Sequence, residues 1–217
     1  MKKLLLGLIV LTFACCKIPT TFCQSQSQTK RSPEHTVDTI FTNRWSPRAL
    51  SGESITDHEL MSLFEAARWA PSSYNAQPWV FIYSPRTSST WNTFLNLLVP
   101  FNQKWAKNAA VLVVVVSKKT FDSGEPSPTH SFDAGAACQN LALQGSLMGL
   151  VVHGMGGFDF DRAKTELNIP DDYTVEAMFA IGKPGNVKDL PQSMQKMETP
   201  SNRKPIAEFV SEGSFKK

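Results

Sequence analysis

Val111-Leu112-Val113-Val114-Val115-Val116 is an unbroken apolar run in the middle of the chain, dominated by β-branched residues. Such a run is typical of a strand that is buried on both faces of a sheet. Trp79 to Tyr83 and Ala177 to Ile181 predict two more strands, and Leu150 to Val152 also has strand character. The sequence therefore predicts a mostly hydrophobic central sheet.

Helices are predicted to alternate with these strands. Thr56-x-x-Glu59 has the form of a capping box and precedes apolar residues at helical spacing, which are Leu60, Leu63, Phe64 and Ala67. Asp133 to Leu150 is rich in small residues, and each glycine in it costs a helix about 1 kcal/mol relative to alanine. We expect close packing against another helix or a partner subunit to compensate. The alternation predicts an α+β or three-layer fold, and no Gly-x-Gly-x-x-Gly motif indicates a dinucleotide-binding fold.

The composition is that of an ordinary globular protein. The 217 residues are 41% hydrophobic and 19% charged, which is enough apolar material for one full-sized core or two small ones. The formal charge is +3, and Lys2 and Lys3 contribute most of it. Because the rest of the chain is nearly neutral, nucleic-acid binding is not expected. Without a repeat or linker after residue 36, residues 37–217 are expected to form one domain.

Residues 1–23 are expected to form a leader. Lys2 and Lys3 precede an uncharged apolar segment, Leu4 to Ala14. This segment suits a secretory signal peptide better than a permanent membrane span, because as a helix it is shorter than the hydrocarbon core of a bilayer. The leader predicts an exported or membrane-tethered protein, and a cytoplasmic location is the alternative.

The end of the leader predicts either of two processing routes. Ala14-Cys15 resembles the cleavage site of bacterial lipoproteins, which makes Cys15 or Cys16 a candidate lipid anchor. An ordinary signal peptide cleaved before Gln24 is the alternative. Residues 24–36 are polar and without apolar periodicity, so we expect them to form a flexible tether.

The sequence lacks the motifs of a metal site or of nucleophilic catalysis. Cys138 is the only cysteine after the leader, and its place in an apolar helix favours a core position. The four histidines are scattered without ligand spacing, so no metal is expected. No Gly-x-Ser-x-Gly elbow, P-loop or paired-carboxylate motif is present. A site built from arginines, hydroxyls, amides and glycines, without any of these motifs, suggests that a cofactor carries the chemistry.

Three polar clusters are candidates for binding such a cofactor. Asn43 to Arg48 places two arginines around a serine, which suits a phosphate but also fits a solvated basic turn. Pro71 to Trp79 offers hydroxyl and carboxamide groups for a polar heterocycle, or is a proline-bounded loop. Met155 to Phe158 contains paired glycines, which permit close approach of a ligand or form a simple turn.

Taken in order, these clusters resemble the FMN-dependent nitroreductase family. The most specific matches are Arg44-x-Ser46-x-Arg48 and Ala67-x-x-Ala70-Pro71-Ser72-Ser73-x-Asn75-x-Gln77-Pro78-Trp79. Shorter matches are Phe101-Asn102, Gly157-Phe158-Asp159, Gly182-Lys183-Pro184 and Arg203 near Pro205. The resemblance covers nearly all of the chain after the leader. It implies an α+β, nitroreductase-like three-layer fold, with a central mixed sheet flanked by helices, in an intertwined homodimer.

The resemblance also implies two FMN sites at the subunit interface. Arg44 and Arg203 would bind the FMN phosphate, and Ser46 would contact the phosphate or the ribityl chain. Arg48 would face the pyrimidine side of the isoalloxazine ring, and Asn102 would contact its pyrimidine edge.

The remaining site residues implied by the resemblance lie in two loops. Gly156 and Gly157 would lie near N5 of the flavin, although many family members carry an acidic residue where this chain has Gly156. The other subunit would supply a second loop. Its motif residues are Pro71, Ser72, Ser73, Asn75 and Gln77, of which Gln77 has the least definite role.

The activity implied by the resemblance is that of an NAD(P)H-dependent flavin oxidoreductase. Hydride would pass from NAD(P)H to flavin N5 and on to a small electron-poor acceptor, such as a nitroaromatic or a quinone, by ping-pong turnover without a catalytic side chain. Two alternatives stay open: an exported flavin-binding lipoprotein without NAD(P)H turnover, and a reductive dehalogenase of the same superfamily. An exported enzyme would need another electron donor, because NAD(P)H is scarce outside the cytoplasm.

Overall fold

The computed structural model describes residues 31–216. The predicted leader, the candidate lipid anchor at Cys15 or Cys16 and the first part of the predicted tether lie outside these residues. Within residues 31–216, no helix is both long enough and apolar enough to cross a membrane.

Four antiparallel strands form the central sheet. They are β1 (Trp79–Pro85), β2 (Val111–Lys118), β3 (Val151–Met155) and β4 (Tyr173–Gly182), in the spatial order β1-β2-β4-β3. The predicted strands are confirmed. The resemblance implied a mixed sheet, whereas all three pairings among the described strands are antiparallel. The sequence pattern of a strand buried on both faces does not distinguish parallel from antiparallel pairing here, because helices cover both faces of this antiparallel sheet.

Seven α-helices and three short 3₁₀ turns connect and cover the described strands. The α-helices are α1 (Thr39–Asn43), α2 (Asp57–Arg68), α3 (Trp91–Leu97), α4 (Pro100–Ala106), α5 (His130–Leu147), α6 (Phe160–Glu166) and α7 (Gln192–Gln195). The 3₁₀ turns are Ser73–Asn75, Val187–Asp189 and Ile206–Glu208.

Alternating side chains of β2 point into two separate cores. Leu112, Val114 and Val116 pack with α3 and α4, whose buried residues include Trp91 and Trp105. The other set packs with α2 and α5; it consists of Val111, Val113 and Val115. The alternation follows from the two-residue period of a strand. The expected three-layer α+β architecture is therefore confirmed.

The predicted capping box begins α2. Thr56 Oγ1 accepts a hydrogen bond from the Glu59 backbone N–H at 3.1 Å, and the Glu59 carboxylate accepts one from the Thr56 backbone N–H at 2.7 Å. These bonds lower the pKa of the Glu59 carboxyl. The helix then buries Leu60, Leu63 and Ala67 against α5 and the sheet.

The small residues of α5 permit close packing against its neighbours within the same chain. The helix begins and ends three residues earlier than predicted, at His130 and Leu147. A Cβ atom on Gly145 would overlap the Cγ2 methyl of Val152 on β3 and would touch Leu63 of α2. Gly145 therefore sets the distance between α5 and the sheet, and this packing offsets part of the cost of a helical glycine.

We predict that Gly145→Ala lowers the free energy of unfolding by about 1–3 kcal/mol, because the added methyl overpacks the contact with Val152. Chemical denaturation measures this change. Val152→Ala removes the opposing methyl, so the double variant should be destabilised by less than the sum of the two single variants. Strict additivity would contradict this packing account.

Candidate functional site

Arg44 and Arg203, two predicted site residues far apart in sequence, lie close together. Arg44 follows α1, where its backbone N–H donates to Ile40 O at 3.1 Å, and its Nη1 donates to Ser46 Oγ at 3.3 Å. Burial and the nearby charge of Arg203 lower the pKa of Arg44. Arg203 is exposed and bonds the backbone oxygens of Ser201 and Asn202. The structure therefore brings two cations and a hydroxyl to one place.

A buried carboxylate holds the backbone at Arg48. Glu198 is only 4% exposed, and its Oε1 accepts hydrogen bonds from the backbone N–H groups of Arg48, at 2.6 Å, and Ala49, at 2.7 Å. Within residues 31–216, Arg48 Nε and Glu198 Oε2 are buried without a hydrogen-bond partner. A buried donor without a partner is unusual in a native protein, and a bound ligand is one explanation for it.

His153 is a site residue that the sequence analysis missed. Its Nδ1–H donates to Pro47 O at 2.9 Å, and its ring lies 4.5 Å from the ring of Trp105 between centroids. Burial is the main cause of its lowered pKa. His153 therefore connects β3 to the Arg44–Arg48 segment in its neutral form. The sequence feature that could have identified His153 is its position as a polar residue within the apolar strand Val151–Met155.

Asn102 and Gly157 were predicted separately, and the structure joins them. Asn102 Nδ2 donates to Gly157 O at 3.0 Å, and Asn102 Oδ1 accepts from Trp105 Nε1 at 3.4 Å. A Cβ atom on Gly157 would lie 2.8 Å from Asn102 Nδ2 and 3.1 Å from Val99 Cγ2, so a side chain there would displace the Asn102 amide from this hydrogen bond. The adjacent Gly156 faces open space, because nothing described lies within 4 Å of a Cβ placed there.

The loop of residues 71–77 is held by Asp133, at the start of α5. Asp133 is buried, and its Oδ2 accepts from the backbone N–H of Ser73 at 3.1 Å and from Thr129 Oγ1 at 3.2 Å. Ser72 Oγ accepts from the backbone N–H of Gln77 at 3.0 Å. Three residues of the loop have positive φ angles, which are Tyr74 (51°), Asn75 (55°) and Gln77 (48°). These hydrogen bonds therefore hold the backbone of the loop in one conformation, although most of its residues are exposed.

This loop and the Arg44–Arg48 segment lie at opposite edges of the sheet. The loop leads into β1, whereas Pro47 bonds His153 on β3, and β1 and β3 are the two edge strands. Three inter-strand spacings of about 4.8 Å separate these edges, or roughly 14 Å. Within one chain, the predicted loop residues therefore do not reach Arg44. The loop residues concerned are Pro71, Ser72, Ser73, Asn75 and Gln77.

The loop borders a cavity, whereas the Arg44–Arg48 segment lines neither that cavity nor a second one formed by the segments at residues 31–42 and 201–209. A cavity of about 700 Å³ lies beside the loop and is lined by residues that include Tyr74, Lys118 and Phe121. A second cavity, of about 670 Å³, is lined by residues of segments 31–42 and 201–209. We call this second space the terminal cavity.

The residues expected at the end of the flexible tether are attached to the domain. Arg31 Nη1 donates to Thr42 O at 2.9 Å and to Arg44 O at 2.8 Å. Glu34 accepts a hydrogen bond from the backbone N–H of Ile206 at 3.2 Å. Arg31 and Glu34, which were predicted to belong to the flexible tether, are therefore held by the domain, and residues 24–30 of the predicted tether lie outside the described residues. The polar composition of the tether did not reveal these contacts, because the partners are backbone groups.

Neither a reactive thiol nor a metal-binding group is found among residues 31–216. Burial raises the pKa of Cys138 to about 12, with a smaller contribution from the charge of Glu176. The thiol is therefore protonated at neutral pH. Cys138 was predicted to be a core residue, and the structure places it, partly buried, against the core formed by α2, α5 and the sheet. In this part of the chain, no group of three histidine, cysteine, aspartate or glutamate side chains could hold a metal ion.

Comparisons with known proteins agree on one family. The sequence model of the Nitroreductase family matches residues 41–88 and 86–183. Protein DrgA of Synechocystis is 27% identical over 175 residues, which cover 68% of this chain and 83% of DrgA. An Archaeoglobus fulgidus protein, provisionally named an NADH dehydrogenase/NAD(P)H nitroreductase, is 28% identical over 161 residues, which cover 72% of this chain and 90% of that protein.

Solved structures share the fold. A crystal structure described as an oxidoreductase containing FMN has a TM-score of 0.83 and 45% identity, covering 89% of this chain and 99% of that one. A structure from Desulfovibrio desulfuricans, provisionally named a nitroreductase and in complex with FMN, has a TM-score of 0.66 and 23% identity. It covers 83% of this chain and all of that chain, and at this identity it shows the fold alone.

We predict that protonation of His153 destabilises the protein at low pH. Because burial lowers the pKa of His153 in the folded state, the unfolded chain binds the proton first. Its contribution to stability is present above about pH 6.5, the ordinary pKa of histidine, and is lost as the pH falls towards the folded-state value. The slope is at most about 1.4 kcal/mol per pH unit, the limit for one proton.

Chemical denaturation between pH 7.5 and pH 5 measures this slope. His153→Asn keeps a donor near Pro47 O but does not titrate, so it should flatten the pH dependence. His58→Asn is the matched control, because His58 lies exposed on α2 and should leave the slope unchanged. A wild-type slope in the His153→Asn variant would contradict the assignment.

Proposed function

Because the chain belongs to the nitroreductase family, we propose that it is an FMN-dependent oxidoreductase that passes hydride from NAD(P)H to a small electron-poor acceptor, such as a nitroaromatic or a quinone. The observation that carries the proposal is the convergence of Arg44, Arg203 and Ser46. Among residues 31–216, neither arginine forms an ion pair with a carboxylate. Two cations without a counter-ion suit the phosphate of FMN.

The residues next to these arginines fit the rest of FMN. Arg48 has a buried Nε without a partner, and a ring acceptor on the pyrimidine side would satisfy it. Asn102 keeps one N–H and one lone pair beyond its bonds to Gly157 and Trp105, so it can still contact a pyrimidine edge. The open space at Gly156 admits a planar ring without a clash with a side chain.

The protein groups bind and orient, and FMN when bound supplies the hydride-transferring centre. Arg44 and Arg203 neutralise a phosphate, while Glu198 and His153 fix the backbone that carries Ser46 and Arg48. The positive charge of Arg48 would stabilise negative charge on the pyrimidine side, which favours electron uptake by the cofactor. The names of curated relatives support NAD(P)H as the electron donor.

We also propose a homodimer in which residues 71–77 of one subunit complete the FMN site of the other. Two observations support it. The loop lies at the sheet edge opposite Arg44, and α5 presents Phe132 and Leu147, which are 81% and 69% exposed. Burying this apolar surface would stabilise association. The dimer would bring Ser72, Ser73 and Asn75 to a site that their own subunit cannot reach.

The purified chain should show the absorption bands of a bound flavin, and anaerobic NADH or NADPH should bleach them. Arg44→Ala/Arg203→Ala should lose FMN while the far-ultraviolet circular dichroism stays unchanged. Arg162→Ala/Lys164→Ala removes two surface charges from α6 and should retain FMN. Bands that persist with both nucleotides would indicate another donor. A folded protein that takes up no added FMN would overturn the proposal.

The proposed dimer is tested by measuring the mass of the protein in solution with light scattering coupled to size-exclusion chromatography. The wild type should have twice the mass of one chain. Phe132→Glu should give monomers with weakened FMN binding, because it places a charge in the proposed interface. Gln192→Glu adds the same charge on exposed α7 and should stay dimeric. A monomeric wild type that binds FMN stoichiometrically would exclude the shared site.

A further inference from the structure

Arg31 lies beside the two arginines of the proposed phosphate site. It comes 13 residues before Arg44 in the sequence, outside the motif segments that define the family resemblance. Its Nη1 bonds Thr42 O and Arg44 O, so its guanidinium is attached to the backbone that carries Arg44. Arg31 and Arg203 also line the same terminal cavity.

The contact between Glu34 and Ile206 joins the two sides of this cavity. It connects the segment that follows Arg31 to the segment that carries Arg203. Each segment therefore contributes one arginine to a space closed by both. Ser201 and Lys204 add a hydroxyl and a further cation to the lining.

Positive charge is in excess around the terminal cavity, which Arg31, Arg203 and Lys204 line against one carboxylate, that of Glu34, while Lys204 lies 4.0 Å from the Glu208 carboxylate. Burial, followed by the charges of Arg203 and Arg44, lowers the pKa of Arg31, as expected where cations face one another. Among residues 31–216, Arg31 forms no ion pair, and the nearby Glu34 carboxylate accepts a hydrogen bond from the backbone N–H of Ile206. Arg31 Nε is also buried without a hydrogen-bond partner in this part of the chain.

We propose that Arg31 is a third arginine of the phosphate site and that it makes the protein selective for FMN over riboflavin, which lacks the phosphate. The inference rests on the proposed function, because FMN is the ligand whose phosphate Arg44 and Arg203 would hold. Three guanidinium groups match a phosphate dianion better than two, both in charge and in number of donors. Arg31 Nη1 holds the backbone, which leaves Nε and Nη2 as the donors that an anion could take.

A purely structural role makes a different prediction. If Arg31 only supports the backbone at Thr42 and Arg44, then its loss weakens FMN binding through Arg44, and Arg31→Gln should cost no further FMN affinity in an Arg44→Ala background. A contact with the phosphate should instead cost FMN affinity in both backgrounds and leave riboflavin unaffected. The dissociation constants for FMN of the two single variants and the double variant therefore separate the two roles.

The test uses the full chain freed of flavin and titrated with FMN or riboflavin, with flavin fluorescence as the readout. Arg31→Gln should raise the Kd for FMN by about tenfold or more, the usual effect of losing a hydrogen bond to a charged group, and leave the Kd for riboflavin within about twofold. Arg31→Lys keeps the charge and should recover part of the FMN affinity. Arg162→Gln, an exposed arginine paired with Glu166, is the matched control and should change neither constant.

Three outcomes would overturn the proposal: unchanged FMN affinity in Arg31→Gln, an equal loss of FMN and riboflavin affinity, or no effect of Arg31→Gln on FMN affinity in the Arg44→Ala background. Failure of the proposed function is distinguishable, because the wild type would then bind neither flavin. In that case, the midpoint of thermal unfolding, measured with and without inorganic phosphate, tests whether Arg31 belongs to an anion site. Stabilisation of the wild type that Arg31→Gln reduces would support the three-arginine anion site, and equal or absent stabilisation would overturn it.

Discussion

Burial of β2 on both faces is the constraint on which the rest of the structure depends. All its residues from Val111 to Ser117 are buried, so each face of the sheet must be covered by helices. With β4 also central, β1 and β3 are left at the edges. Polar residues that bind a ligand cannot lie in such a core, and they are found at the edges and in the loops that leave them. The two parts of the candidate site occupy opposite edges for this reason.

Buried polar side chains hold the loops of the site in place. Glu198 binds the backbone at Arg48, His153 binds Pro47, and Asp133 binds Ser73. Each connects a loop to a distant element through backbone groups, which must be satisfied when they are taken from water. The contacts therefore fix the shape of the loops while the side chains that would face FMN stay available.

Local pattern predicted the elements well and the long-range contacts poorly. The β2 run and the capping box at Thr56 depend on neighbouring residues, so the sequence was sufficient for both. The roles of Glu198 and Arg31 depend on backbone carbonyl and N–H groups more than ten residues away, which leave no mark in composition or periodicity. The site motifs were recognised through family resemblance, whereas their division between two sheet edges required the topology.

The contact between Gly157 and Asn102 also limits how this chain can change over time. A methyl at position 157 would meet the Asn102 amide, and a side chain without an amide at position 102 would leave the Gly157 carbonyl with one donor, the backbone N–H of Val99. A change at either position therefore removes the hydrogen bond between them. Gly156 has no such neighbour within residues 31–216, so any constraint on that position would come from a bound flavin instead of from the protein.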